Sequence, residues 1–344
     1  TVATTPAGGV PTGTVQFFDN GSMIGSAQVV GGTASISLNT LALGNHPITA
    51  NYVSNSPAFS NSNATLTGNP QVVNQASTAT TVQTLINAPN YGSTLTATAT
   101  ITAVAPGSGT PQGTVNFNDG GNPIAGCQNV AVTALGSAVC TTNQLPAGTN
   151  KVIQAVYSGN ANFNGSNGST TQTIGKAPLN VAASSAAVTY GDAAPAITAA
   201  ITGFVLGETT ANLTTQPTCS TTYVQGSPVS GSQYPSSCTG AVSNNYSFNY
   251  IGGNVTVNKK GLTVTADNKT RAYGAANPTL TATFTGFVLG QNLGTSDVTG
   301  SPLLSTTATP SSPVAGSPYA ITAALGTLAS GNYAFTTFTN GILT

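Results

Sequence analysis

Internal self-similarity constrains this chain more than any other feature, because a repeated unit must fold as a unit. Pro11-Thr-Gly-Thr-Val-Gln-Phe-Phe-Asp-Asn-Gly21 recurs as Pro111-Gln-Gly-Thr-Val-Asn-Phe-Asn-Asp-Gly-Gly121, 100 residues later. The match continues through Ile48-Thr-Ala-Asn-Tyr52 and Ile153-Gln-Ala-Val-Tyr157. A second, unrelated pair repeats Tyr190-Gly191 as Tyr273-Gly274 and Gly203-Phe-Val-Leu-Gly207 as Gly286-Phe-Val-Leu-Gly290, both 83 residues apart. Asn245-Tyr-Ser-Phe248 then matches Asn332-Tyr-Ala-Phe335. Four units of two types follow one another in the order A-A-B-B, with boundaries read at 1–75, 76–175, 176–258 and 259–344.

Within each unit the pattern is strand and turn. Thr94–Ala103 alternates polar and apolar residues with the period of two that places one face in a core. Asp19-Asn-Gly21 and Asp119-Gly-Gly121 follow strands and supply the positive φ angles of tight hairpins. With 40 Gly and 20 Pro in 344 residues, long helices are excluded. Short strands at this spacing predict an all-β chain of four tandem antiparallel sandwiches. A short helical turn is expected after Gly-Phe-Val-Leu-Gly, over Glu208–Leu213 and its counterpart in the last unit.

The A units resemble the bacterial Ig-like domain repeats of large surface proteins. The residues that carry this are Pro-x-Gly-Thr-Val-x-Phe-x-Asp-x-Gly, the Leu-x-x-Gly stretches Leu41–Gly44 and Leu145–Gly148, and Tyr157-Ser-Gly-Asn-Ala-Asn-Phe163. The B units resemble the MBG domain of the Tyr-Gly type, through Tyr-Gly-x-x-x-Pro, Gly-Phe-Val-Leu-Gly and Asn-Tyr-x-Phe. The resemblance implies tandem extracellular β-domains of adhesins, stalks and other surface assemblies. It implies no catalytic residue.

Charge excludes further classes. Six Lys and Arg, six Asp and Glu, and the single His46 are scattered through the chain. Phosphate neutralisation by a nucleic-acid-binding surface needs clustered cations, and acid–base catalysis needs paired titratable groups. Neither pattern is present, no cofactor or metal motif is found, and the chain is read as non-enzymatic. No run of about 18 apolar residues offers a membrane span.

Individual residues are read conservatively. Cys127 and Cys140 lie in the second unit and Cys219 and Cys238 in the third, which favours two local disulfides and an exported location. The sister positions, near Ser26 and Ile36 and near Leu304 and Ala323, lack cysteine. His46 aligns with Asn150 and is read as structural, Asp19 and Asp119 as turn residues, and Lys259-Lys260 as a junction. Lys151 is the one lysine in a strand-like context, where an isopeptide crosslink would need it buried beside an Asn and a carboxylate. Tyr52, Tyr157, Phe17, Phe117, Tyr246 and Tyr333 recur at equivalent positions, as core or corner residues do. Asn-x-Ser/Thr occurs at Asn20, Asn63, Asn164, Asn167, Asn212, Asn245, Asn254 and Asn268, candidate glycan sites on a surface with few charges.

The first unit aligns only from within its second strand, without equivalents of Thr78–Ile86 and most of Thr94–Ala99, whereas Thr344 aligns with Val257 near the end of the third unit. Two readings remain open. A longer parent chain supplies the strands, or a neighbouring subunit adds them head to tail and makes an open-ended homopolymer. The expected function is a structural segment of an extracellular filament or surface stalk. The alternative is an adhesin module binding a glycan or protein through exposed loops.

Overall fold

The computed structural model describes residues 1–5, 8–85 and 89–344. Ile86, part of the strand expected in the second unit, lies outside them. The chain forms two compact bodies, Thr1–Pro89 with Ser93–Ile174, and Asn90–Gly92 with Gly175–Thr344. Both are built from β-strands, and the helical content of the described residues is three single turns of 3₁₀-helix.

In the first repeat, β1 (Gly13–Asp19) and β2 (Ser22–Gln28) form a hairpin, followed by β3 (Gly44–His46), β4 (Ile48–Ser54), β5 (Ser62–Thr65) and β6 (Gln71–Val73). The hairpin turns through Asn20 and Gly21, with φ of 45° and 83°, the left-handed pair that matches the twist of its strands. One four-stranded sheet, β2-β1-β4-β5, carries most of the repeat, and β3 pairs with β6.

The second repeat is fuller. It contains β7 (Thr78–Leu85), β8 (Leu95–Ala103), β9 (Thr114–Asp119), β10 (Asn122–Pro123), β11 (Val130–Ala131), β12 (Ser137–Thr142), β13 (Gly148–Tyr157) and β14 (Ser166–Ile174). The sheet β10-β9-β13-β14, with β11 also on β9, faces a second sheet, β12-β8-β7. Alternation in β8 puts Leu95, Ala97, Ala99 and Ile101 into the core opposite Val115, Phe117, Ile153 and Ala155. Each of these eight side chains is 2% exposed or less.

The third repeat comprises β15 (Ala177–Ala183), β16 (Ala186–Thr189), β17 (Ala199–Thr202), β18 (Thr218–Thr221), β19 (Tyr234–Thr239), β20 (Tyr246–Ile251) and β21 (Gly253–Asn258). The fourth comprises β22 (Lys260–Ala266), β23 (Ala282–Thr285), β24 (Leu303–Thr306), β25 (Tyr319–Ala324), β26 (Tyr333–Thr339) and β27 (Gly341–Leu343). Each repeat has two sheets, β17-β15-β20 with β16-β21-β19-β18, and β23-β22-β26 with β24-β25-β27. The antiparallel expectation needs correction here, because β15 with β20, β16 with β21 and β22 with β26 pair in parallel. The opening strand of each repeat is joined by its closing strands only after a long excursion, and a parallel pair requires such a crossover.

The helical turn expected over Glu208–Leu213 is a 3₁₀ turn, Thr210–Asn212, with Thr209 and Asn212 forming a reciprocal capping box. In the fourth repeat the corresponding stretch is an Asn292-centred turn, in which the Asn292 side chain accepts from Gly294 and Thr295 N–H groups. The junction read at Lys259-Lys260 is strand on both sides of Lys259, so the chain passes from β21 to β22 through that one residue. Between Leu262 and Thr263 the parallel register with β26 skips Thr336. That extra residue makes Leu343, rather than Ile342, the counterpart of Val255, and Thr344 corresponds to Thr256 and not to Val257.

Candidate functional site

The two A repeats place the same residues in different surroundings. Val115, Phe117, Ile153 and Ala155 are completely covered, and Tyr157 is 1% exposed. Their counterparts in the first repeat are Val15, Phe17, Ile48, Ala50 and Tyr52. Among them Phe17, Ile48 and Ala50 are only half-buried. These side chains line an open groove of about 430 Å³, continued by one of about 330 Å³ whose walls include Ile36, Leu38, Leu41 and Leu66. In the second repeat, β7 and β8 cover this face.

One residue fixes the register of the two repeats on this face. The Ile101 N–H donates to the Gly136 carbonyl at 2.8 Å, and the Val2 N–H donates to the Gly32 carbonyl at 2.7 Å. Val2 therefore stands in the place of Ile101. Tyr52 still closes its corner: its hydroxyl donates to the Thr12 carbonyl at 2.6 Å, as the Tyr157 hydroxyl does to Gln112.

An ion pair recurs beside each groove face. His46 Nδ1 lies 2.7 Å from Asp19 Oδ2, and Lys151 Nζ lies 2.6 Å from Asp119 Oδ2. The register of Ile48 on Asp19 and of Ile153 on Asp119 makes Lys151 the counterpart of His46. This corrects the alignment with Asn150, which stood one residue off because Asn150 adopts a φ of 53° at an irregularity in β13. His46 is buried, and its Nε2 faces the Ala42 carbonyl at 2.6 Å. The Asp19 hydrogen bond, then the Ala42 carbonyl, raise its pKa above the ordinary histidine value. Both ring nitrogens face acceptors, an arrangement that suits imidazolium as a structural cation. Among the described residues no three His, Cys, Asp or Glu side chains gather as metal ligands. Among those residues no helix is long and apolar enough to cross a membrane.

Cys127 is bonded to Cys140, and Cys219 to Cys238. Cys219 and Cys238 face each other across β18 and β19, and Leu304 faces Ala323 in the same register of β24 and β25. In the first repeat Ile36 packs over Gly25, so apolar contact replaces the bridge in both sister repeats. The Asn-x-Ser/Thr residues are dispersed. Asn20, Asn63, Asn164, Asn167, Asn212, Asn254 and Asn268 are exposed, and Asn245 is half-buried. Asn164 donates its amide to Gln75, and the amide oxygens of Asn212 and Asn268 accept backbone N–H groups.

The bacterial Ig-like domain (group 3) matches residues 1–74 and 77–175. The chain belongs to this family. The MBG domain (YGX type) matches residues 179–256 and 262–344, so two Ig-like repeats are followed by two YGX repeats. No curated protein matches the chain. Three solved structures are similar to it at low identity. One is a tetra-tandem repeat in the extending region of a large adhesion protein, with 13% identity over 97% of this chain and 92% of that one and a TM-score of 0.33. The second belongs to a 1.5-MDa bacterial ice-binding adhesin, with 14% identity over 73% and 88% and a TM-score of 0.24. The third holds fibronectin(III)-like modules of Clostridium thermocellum CbhA, with 18% identity over 49% and 80% and a TM-score of 0.22. Superposition this loose carries nothing about function.

The YGX signature acquires a physical meaning in the C-terminal body. Tyr190 is buried with its ring edge-on to Tyr333, centroids 5.4 Å apart, and its hydroxyl accepts from Gln291 Nε2 at 3.2 Å. Gln291 in turn accepts from the Tyr333 hydroxyl at 2.6 Å. Gly191, at φ +92°, lies directly under Val288 and leaves no room for a Cβ. The Val229 N–H donates to Asn332 Oδ1 at 2.9 Å. Gly-Phe-Val-Leu-Gly of the fourth repeat is thus the seat for Tyr-Gly of the third.

Sequence comparison missed a further Tyr-Gly, at Tyr91-Gly92, because it lies outside the B repeats. In the C-terminal body Tyr91 sits edge-on to Tyr246 at 5.5 Å and donates to Glu208 Oε1 at 2.8 Å. Glu208 also accepts from the Tyr246 hydroxyl at 2.6 Å. Burial, then the Glu208 hydrogen bond, push the Tyr246 pKa up to about 12. A Cβ on Gly92, whose φ is +85°, would come within 2.6 Å of Val205. Glu208 occupies the place of Gln291, and Val205 that of Val288.

Proposed function

We propose that the chain is a non-catalytic, load-bearing segment of an extracellular bacterial surface stalk or filament. The open face of its first Ig-like repeat is the acceptor for a strand. The observation that carries this reading is the pair of sister repeats. In one, Leu95, Ala97 and Ala99 cover the conserved inner face, and in the other the same face is an open groove. A bare apolar face that its sister repeat covers with strands is a site for β-augmentation. The occupant is an extended segment with small and branched apolar residues at alternate positions, supplied by a preceding part of the polypeptide or by a neighbouring copy. Exported location is supported by the two disulfides and by the kind of domain, and glycans on exposed Asn would cover a surface that carries few charges.

Sedimentation of the purified chain over a broad concentration range, with and without a synthetic peptide of sequence Ser77–Thr100, tests the acceptor. The peptide is expected to bind the monomer with a one-to-one stoichiometry and to suppress any concentration-dependent polymer. Growth of polymer unaffected by the peptide would refute strand addition by a neighbour, and failure of the peptide to bind would refute the acceptor itself.

A further inference from the structure

The fourth repeat carries a third copy of the Tyr-Gly feature, in a different state. Tyr190 is 5% exposed and Tyr91 8% exposed, whereas Tyr273 is 67% exposed. Gly274 holds a φ of +80°, like Gly92 and Gly191, yet a Cβ there would meet nothing within 4 Å. Val314 is the counterpart of Val229 in the equivalent 3₁₀ turn, and it is 70% exposed. A depression of about 80 Å³ lies beside these residues, lined in part by Tyr273, Pro313, Val314 and Tyr319. The fourth repeat therefore has the backbone conformation of a seated Tyr-Gly with nothing seated on it.

The receiving loops show what would fit. Leu206 and Leu289, in the two Gly-Phe-Val-Leu-Gly loops, hold φ of 56° and 59°. Branched residues rarely occupy that region, and such strain persists where the surroundings fix it. Each loop presents the preceding valine to a glycine, while the nearby Tyr246 or Tyr333 stands edge-on to the seated tyrosine. The two receiving loops of this chain are already occupied, by Tyr91-Gly92 and Tyr190-Gly191.

We propose that Tyr273, Gly274 and Val314 form a docking face for one further YGX-type β-domain, which would offer a vacant Phe-Val-Leu-Gly loop and an Asn-Tyr pair. The valine would close over Gly274, the partner tyrosine would stack edge-on to Tyr273, and the asparagine would accept from the Val314 N–H. This face is separate from the groove of the first repeat, and its test leaves the strand-acceptor reading untouched.

The experiment compares the 344-residue chain with one in which a second copy of residues 257–344 follows Thr344. Thr344 corresponds to Thr256, so this reproduces the connection between the third and fourth repeats. Tyrosine nitration, mapped by mass spectrometry, reads the exposure of Tyr273, and Tyr190 serves as a protected internal reference. The inner Tyr273 is told from that of the appended copy because its peptide runs on into residue 257. Its nitration is expected to fall about tenfold or more in the extended chain, because an undocked minor state of ~10% or less leaves only that fraction open, while the appended Tyr273 stays reactive. Val288→Asp in the appended copy alone is expected to restore it. Equal nitration in both chains overturns the proposal, as does protection that survives Val288→Asp. Concentration-dependent protection in the original chain would assign the face to a second copy instead and likewise overturn it.

Discussion

The groove of the first repeat can be given a strand by design, and the result is calculable. A chain carrying a copy of residues 77–99 ahead of Thr1 places a leucine, equivalent to Leu95, and two alanines, equivalent to Ala97 and Ala99, opposite Phe17, Ile48 and Ala50. The informative comparison is between this chain and an identical one whose added leucine is changed to alanine, because the cost of ordering the strand is common to both. Leu95 is 1% exposed in the second repeat, and truncating so buried a leucine costs about 2–5 kcal/mol. For a unit of this size each kcal/mol shifts the melting temperature by about 4–8 °C. Scanning calorimetry should resolve the first repeat as the lowest-melting transition of the present chain, since among the described residues its buried cluster is Val15, Val29 and Tyr52. That transition should rise in the extended chain and fall back by roughly 8–40 °C when the leucine is alanine. A transition indifferent to the added strand, or to its leucine, would refute the groove as a strand site.

Other outcomes follow from particular residues. The pKa of His46 is raised in the folded chain, so its contribution to stability is full below the unfolded value of about 6.5 and is lost as pH rises through the folded value. The first transition should therefore weaken across neutrality, and His46→Leu should remove that dependence. The 13-residue separation of Cys127 and Cys140 corresponds to roughly 3 kcal/mol of chain entropy, so reduction should lower the transition of the second repeat and leave the first unchanged. Glycan attachment predicts that the natively exported chain has a mass above the 33.8 kDa of the bare polypeptide, with the excess mapping to peptides that contain exposed Asn residues.

Much of this architecture was legible because repeats expose what a single sequence hides. The hairpins at Asn20-Gly21 and Gly120-Gly121, the alternation in β8 and the corner tyrosines all follow from local chemistry read twice. Parallel pairing was not legible. The partner of Ala177–Ala183 lies at Tyr246–Ile251, and period-two alternation says only that a strand has two faces, not which distant strand it meets. The counterpart of His46 was displaced by one residue because the irregularity in β13 carries no sequence mark beyond Asn150. The meaning of Tyr-Gly was hidden for a different reason. Its glycine answers both to a positive φ and to a valine more than 90 residues away in sequence, and the second demand is visible only once Gly191 and Val288 are seen in contact.

The scarcity of charge also reads differently once each charge has a place. Asp19 and Asp119 each pair with one cation. Lys176 and Lys259, equivalent residues in the two YGX repeats, donate to the carbonyls of Ser243 and Ser330 just before the Asn-Tyr pair. Asp297 accepts from Ser330, Gly331 and Asn332, and so fixes the same loop from the other side. Glu208 joins Tyr91 to Tyr246, Asp267 binds the hydroxyls of Thr281 and Thr283, and Arg271 holds the carbonyls of Thr309, Pro310 and Ala275. These charges tie turns and seats together as hydrogen-bond anchors, and few are left to coat the surface. Edge strands such as β5 and β14 are consequently made of Ser, Thr, Asn, Gly and Gln with hardly an apolar residue and no lysine. Lysine on an edge is a common guard against unwanted pairing. A protein that uses most of its charges to anchor its own turns must protect those edges by covalent cover, or by giving them a partner.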